Sequence, residues 1–256
     1  MQPEISIVIP VFNQGKVLCA LHQRLTSMLS VIPLAYEMIF VDDGCSPPTQ
    51  AILQDIISRD HCVLCIELKR NYGQSNAIAA GLQYAQADFV VVMDADLQDK
   101  PEDIRSLFSR ITSESADLVL ASRPSSNGSL CRRLASMSFY RLSNLLTTLK
   151  QPPNTGVFRI FRQELLQAVI AHEPQPGTIL SRIQQSAHLT LTVETSRDLT
   201  HRSASGYTFG KLFRLAWERF IVYPRYPLPY LHSDKILKTY IPRFGITKVH
   251  QAGRND

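Results

Sequence analysis

FVVVMDADLQDKPE, residues 89–102, is the stretch on which the fold turns. Residues 89–93 are an apolar run of strand type, and the run stops at two carboxylates one residue apart, Asp94 and Asp96. Gln98, Asp99, Pro101 and Glu102 follow. A buried strand ending in Asp-x-Asp places clustered negative charge at a sheet edge, which costs stability unless something cationic shares the site. Carboxylate oxygens with few other strong ligands suit a hard cation such as Mg²⁺, which commonly takes further ligands from substrate phosphates. The same residues admit a structural reading, an acidic turn in which Asp99, Pro101 and Glu102 open and cap the next helix.

Moving outward, three earlier runs share the pattern of an apolar strand closed by polar residues. Residues 5–10 (ISIVIP) are continuously apolar, as in a strand covered on both faces, and lead into Asn13 and Gln14. Residues 38–41 end at Asp42 and Asp43, and residues 63–68 end near Arg70 and Asn71. Between them lie helical patterns: Leu18, Leu21, Leu25 and Met28 on one stripe, Ile52, Leu53, Ile56 and Ile57 on another, then a helix over 75–85. This alternation predicts βαβ units and a parallel sheet. Ligands of such sheets bind beyond the carboxyl ends of the strands, where all these polar residues fall. No GxGxxG follows the first strand and no GxxxxGK[ST] occurs, so phosphates have to be held by a metal and by Arg or Lys.

Downstream, the pattern predicts a helix over 101–112, a strand over 118–121 ending at Arg123, and a surface loop over 124–129. A helix over 130–149, a strand over 156–161, a helix over 163–172 and an edge strand over 189–195 follow. Residues 208–223 read as an amphipathic helix bearing Phe209, Phe213, Trp217 and Phe220, with Lys211, Arg214 and Arg219 among its other positions. Such a helix suits either an interfacial membrane anchor or a helix packed on its own domain.

The chain has 256 residues, enough for one large α/β domain with a tail, and 45% hydrophobic content excludes a disordered protein. The net charge of +5 is concentrated late: from residue 197 onward there are eleven Lys/Arg against four Asp/Glu. That excess suits anionic partners such as nucleoside diphosphates or a phospholipid surface. No nucleic-acid motif is present, so nucleic acid is not an expected partner. Five cysteines at irregular spacing point to a reducing compartment, and the Cys62–Cys65 pair sits in an apolar run, as core cysteines do. The opening MQPEISIVIP lacks a signal peptide's basic region, and no run reaches the ~18–20 apolar residues of a membrane span. A cytoplasmic protein is expected, on the inner membrane face if attached.

Taken together, VIPVFNQ (residues 8–14), VDDGCSP (41–47), RNYGQSNAIAAGL (70–82) and MDADLQDKPE (93–102) resemble the family 2 inverting nucleotide-sugar glycosyltransferases. The branch that transfers sugars to polyprenyl phosphates, which includes dolichol-phosphate mannose synthases and bactoprenol glucosyl transferases, is especially similar. NTGVFRIF (154–161) and HRSASGYTFGKL (201–212) look like its later motifs. The resemblance implies a glycosyltransferase A fold, α/β and Rossmann-like, with a mostly parallel central sheet. The catalytic domain is expected over 1–207 and an amphipathic, basic tail over 208–256.

Carried over by position, the resemblance has Pro10, Phe12, Gln14 and Asn71 line the nucleotide and Val41 and Asp43 meet the base. Asp94 and Ala95 face the ribose and diphosphate, and Asp96 and Gln98 hold Mg²⁺ or Mn²⁺. Arg123 and Arg202 meet phosphate charge, while Asp99 and Glu102 stay helix caps. The implied donor is a nucleotide-diphospho sugar; the acceptor is a polyprenyl phosphate or lipid-linked saccharide in cell-surface glycan synthesis. Three departures stand out. Asn154-Thr155-Gly156 replaces the common Asp-x-Gly, the 202–207 stretch is short and lacks a lysine, and no membrane helices follow. The first two admit a nucleotide-sugar-binding protein without turnover; the third makes any membrane attachment peripheral.

Overall fold

The computed structural model describes residues 2–32, 34–123, 152, 154–171, 177–196 and 244–251. Strand β1 (Ile5–Val11) is buried along its whole length. It sits centrally, paired in parallel with β2 (Tyr36–Asp42) on one side and β4 (Phe89–Val92) on the other, while β2 pairs in parallel with β3 (Val63–Leu68). Parallel neighbours need crossover connections. Here these are α1 (Gly15–Leu29), α2 (Pro47–Arg59) and α3 (Gln74–Leu82).

The second half of the sheet is mixed. Strand β6 (Thr155–Arg162) runs antiparallel between β4 and β5 (Leu118–Ser122), and β7 (Thr190–Glu194) is parallel to β5 at the edge. At the opposite edge β8 (Ile246–Gln251) is antiparallel to β3. The eight-stranded order is β7-β5-β6-β4-β1-β2-β3-β8, with four of its seven pairings parallel. The expected 208–256 tail thus contributes residues 246–251 to the sheet as a strand. ITKVHQ lies on an edge, where only part of each residue is covered, so its sequence carries no strong apolar run.

Strand alternation divides the core between the two faces. Ile5, Ile7, Ile9, Met38 and Phe40 belong to one cluster, beneath α1, α2 and α4 (Ile104–Ser113). Val8, Ile39, Val41 and Ile66 belong to the other, beneath α3, α5 (Gln163–Ala171) and α6 (Ile179–Ser186). The helix expected over 101–112 is divided: Pro101–Asp103 forms a 3₁₀ turn before α4 begins. The helices expected over 130–149 and 208–223, and Arg202, lie outside the described residues. Among the described residues no helix is long and apolar enough to cross a membrane.

Candidate active site

Each of the four parallel strands delivers a loop to the same edge, and side chains brace these loops together. After β1, Asn13 adopts φ +54° and its Oδ1 accepts a hydrogen bond from the Ser46 N–H at 2.8 Å. Asn, more readily than most residues, tolerates that left-handed conformation. After β2, the Asp42 carboxylate accepts from the Cys45 N–H at 2.6 Å and the Gln50 amide at 2.9 Å, so it holds its own loop. Burial pushes the Cys45 thiol up to about 12, and its Sγ donates to the Val11 carbonyl.

Asp43 reaches to the next loop. Its two oxygens accept from the N–H groups of Tyr72 and Gly73 at 2.7 and 3.0 Å. The intervening Gly44 has φ +73°, and a Cβ there would stand 2.5 Å from the Asn71 nitrogen. Only glycine lets the two loops cross this closely. Burial raises the Asp43 pKa, and the hydrogen bonds from Tyr72 and Gly73 oppose that rise.

The fourth loop carries Asp94 to Asp99. Gln74, the first residue of α3, donates from its amide to the Asp94 carboxylate. Leu97 has φ +58° while only 1% exposed, a conformation that costs free energy for a bulky residue and persists because the surrounding packing holds it. The turn so formed lets Asp96 accept from the Gln98 N–H at 3.0 Å.

Asp99 departs from the capping role expected of it, while Glu102 keeps its place in the first turn and binds a distant arginine as well. Asp99, 2% exposed, binds Arg123 through Nε at 3.0 Å and Nη2 at 2.5 Å. Glu102 binds Arg24 of α1 at 2.9 and 2.7 Å, and this hydrogen bonding lowers the Glu102 pKa. Both pairs are bidentate, the geometry that suits guanidinium to carboxylate. For Asp99 the capping expectation fails because sequence spacing cannot show which cation a folded chain brings to a carboxylate.

Arg123 in turn packs over Gly156, where a Cβ would lie 3.4 Å from its Nη2. Its own N–H donates to the Asn154 carbonyl at 3.0 Å. Beneath it, the buried Arg159 donates to the carbonyls of Gly156 and Val157 at 2.6 and 3.1 Å, and burial lowers its pKa to about 10. Burial also opposes the charge on Arg123, but hydrogen bonds to Asp99, then the fields of Asp99, Asp94 and Asp96, raise its pKa overall.

These loops enclose a cleft of about 380 Å³, within the range of small-molecule sites. Eight of the expected residues line it: Pro10, Phe12, Gln14, Asp43, Asn71, Asp94, Ala95 and Asp96. Val41 does not; it is fully buried in the core against Gly81, because residues alternate faces along β2. Gln98 is bound to Asp96 through its backbone rather than lining the cleft. Gly73 and Gln74 line the cleft without having been expected to. Their signal was present in the RNYGQ stretch, but a glycine before a helix start reads first as a turn.

Among the described residues no group of three His, Cys, Asp or Glu can hold a metal by itself. Asp94 and Asp96 supply hard oxygen donors on the cleft wall, a set that fits Mg²⁺ or Mn²⁺ completed by substrate phosphates better than a closed protein cage.

The profile described as Glycosyl transferase family 2 matches residues 6–170. A glycosyltransferase of Synechocystis is 36% identical over 170 residues, which is 66% of this chain and 53% of that protein. A bactoprenol glucosyl transferase of Shigella phage SfV is 30% identical over 227 residues, 88% of this chain and 73% of that one. Among solved structures, glucosyl-3-phosphoglycerate synthase from Mycobacterium tuberculosis, bound to Mn²⁺, UDP-glucose and phosphoglyceric acid, superposes with TM-score 0.60. It is 17% identical, with 86% of this chain and 78% of that chain covered. The mannosyltransferase PcManGT from Pyrobaculum calidifontis, in complex with GDP-Man and Mn²⁺, gives TM-score 0.57 at 14% identity, covering 87% of this chain and 63% of that one. The structural matches show the fold; the profile and the phage relative show the lineage, and this chain belongs to glycosyl transferase family 2.

Proposed function

We propose that the protein is a metal-dependent glycosyltransferase acting with inversion. It moves a sugar from a nucleotide-diphospho sugar to a polyprenyl phosphate or a lipid-linked saccharide at the inner face of the membrane. The observation that carries this is the joint placement of Asp94, Asp96 and Asp43 on one cleft, with the half-buried Arg123 close enough for the first two to favour its charge. Asp43 holds the 70–73 loop against which a base can lie. Phe12, 49% exposed, offers an aromatic face in the same cleft. Asp94, whose carboxylate accepts from the Gln74 amide, is assigned to the ribose and diphosphate.

Bond cleavage puts charge on the departing diphosphate, and preorganised cations lower that barrier. Arg123 is one such cation, and Arg202 is proposed as a second. Mg²⁺ or Mn²⁺, held by Asp96 with Asp94 or Gln98, supplies further charge neutralisation when bound. An acceptor phosphate already carries a nucleophilic oxygen, whereas a sugar hydroxyl needs a base. Asn154 offers no carboxylate beside Arg123, which favours the phosphate acceptor. The names of relatives agree: besides the phage bactoprenol glucosyl transferase, a transferase of Proteus mirabilis is named for undecaprenyl-phosphate 4-deoxy-4-formamido-L-arabinose.

Asp96→Ala is expected to abolish metal-dependent donor hydrolysis and sugar transfer while leaving the melting temperature within a few degrees. A wild-type protein that binds nucleotide yet turns over no member of a donor panel would instead be a binding protein. Membrane attachment through the 208–223 segment is tested with anionic liposomes and the Lys211, Arg214 and Arg219→Gln triple variant. Truncation at residue 207 is unsuitable, because it also removes β8. Equal sedimentation of the two proteins would refute the membrane role.

A further inference from the structure

Asp99 is the acid of the 94–99 loop that faces a cation instead of the cleft. It is 2% exposed, and its oxygens take Nε and Nη2 of Arg123. Among the described residues, three contacts locate Arg123: its backbone N–H on Asn154, its guanidinium over Gly156, and this ion pair. Only the ion pair is specific for charge.

We propose that Asp99 is a positioning residue that anchors Arg123 and keeps its guanidinium from closing onto Asp94 and Asp96, so that these two carboxylates can take the divalent cation. The inference rests on the metal reading above and adds to it a residue outside the cleft lining. Asp94 and Asp96 are near enough for their fields to favour the Arg123 charge, after Asp99's own larger influence. An arginine beside two carboxylates forms bidentate, charge-assisted bonds with them unless it is engaged elsewhere. Such a bond would put positive charge where the metal's charge belongs. Anchoring prevents this in two ways. It occupies two of the guanidinium's donors, and it makes Asp99 and Arg123 a neutral unit, which does not repel an arriving cation. The buried position of Asp99 makes the pairing mutual, since a buried carboxylate without its cation is strongly disfavoured.

The test titrates Mn²⁺ into the full chain, first alone and then with saturating UDP, and follows the electron paramagnetic resonance signal of free Mn²⁺; the Kd values compared are those with UDP present. Circular dichroism and thermal melting report the fold. Asp99→Asn is expected to raise the Mn²⁺ Kd about tenfold, equivalent to about 1.4 kcal/mol. The double variant Asp99→Asn, Arg123→Gln keeps the net charge of the pair and is expected to return the Kd to the wild-type value or below. A purely structural role for Asp99 would not be rescued by removing a second side chain. Asp99→Asn with a Kd within twofold of wild type overturns the proposal, and so does a double variant that stays weak. Should the single variant not fold, the double variant decides alone: binding weaker than wild type overturns the proposal. A wild-type chain that binds no Mn²⁺ with UDP present is a different result, since it removes the metal reading itself and the proposal with it.

Discussion

Two backbone N–H groups, those of Tyr72 and Gly73, converge on the carboxylate of Asp43. The residue is 2% exposed, and burial raises its pKa despite those bonds. An asparagine there can accept through only one side-chain atom and turns an NH₂ toward the other N–H. Leaving a buried donor unsatisfied costs about 1–3 kcal/mol. Asp43→Asn is therefore expected to destabilise the fold by about that amount and to weaken nucleoside diphosphate binding, because Asn71 and Gly73 line the same cleft. Urea unfolding and calorimetric titration with UDP and GDP check both parts. Nucleotide affinity equal to wild type would show that the 70–73 loop does not depend on this clamp. Asn154 makes a related point about backbone. At φ +60° it occupies a conformation that Asn and Asp tolerate, so its exchange for Asp leaves the turn intact and isolates the effect of charge.

At the scale of elements, helix α3 does most to join the core to the cleft. Its first residue, Gln74, binds Asp94, and its last turn lies on β1 and β2. The approach is close at Gly81, where a Cβ would meet Val8 Cγ1 at 2.6 Å and Val41 Cγ2 at 2.8 Å. Both valines are fully buried and β-branched, so neither has room to rotate away. Gly81→Ala is expected to cost about 1–3 kcal/mol, the usual range for overpacking. Because the displaced helix carries Gln74, nucleotide affinity should fall with stability. A thermal melt with and without UDP distinguishes this coupling from a local effect. Unchanged melting temperature would mean that the helix rests further from the sheet than these contacts indicate.

At the scale of the molecule, the sheet is closed at one edge by a strand from the far end of the chain. β8 covers β3, and the Lys69 N–H bonds the Gly245 carbonyl beside it. Deleting residues 244–256 would leave β3 as an unpaired edge, the kind that pairs with other chains. The shortened protein is expected to melt lower and to aggregate on size-exclusion chromatography, and a monomer of unchanged melting temperature would contradict this. The pairing of β8 with β3 adds a strand from beyond residue 207 to the sheet of the first domain. The 208–223 pattern is that of a tail, yet the chain returns to the catalytic sheet at Ile246.

By itself the sequence determined the parallel half of the sheet. ISIVIP, IFV and FVVV are apolar on both faces, which suits central strands, and each ends in the polar residues that line the cleft. The placement of Asp94 and Asp96 on the cleft was legible for the same reason: a buried parallel strand delivers the residues that follow it to the carboxyl edge of the sheet. Tertiary structure alone decided where β6 and β8 enter, because an edge strand or a strand after a long connection carries no direction in its composition. It alone paired Asp99 with Arg123 and Glu102 with Arg24. An acid before a helix has the same local signature whether it caps that helix or binds a distant guanidinium, and only the fold brings the two charges together. Residues 89–102 thus hold three kinds of acid: Asp94 and Asp96 at the cleft, Asp99 against Arg123, and Glu102 against α1.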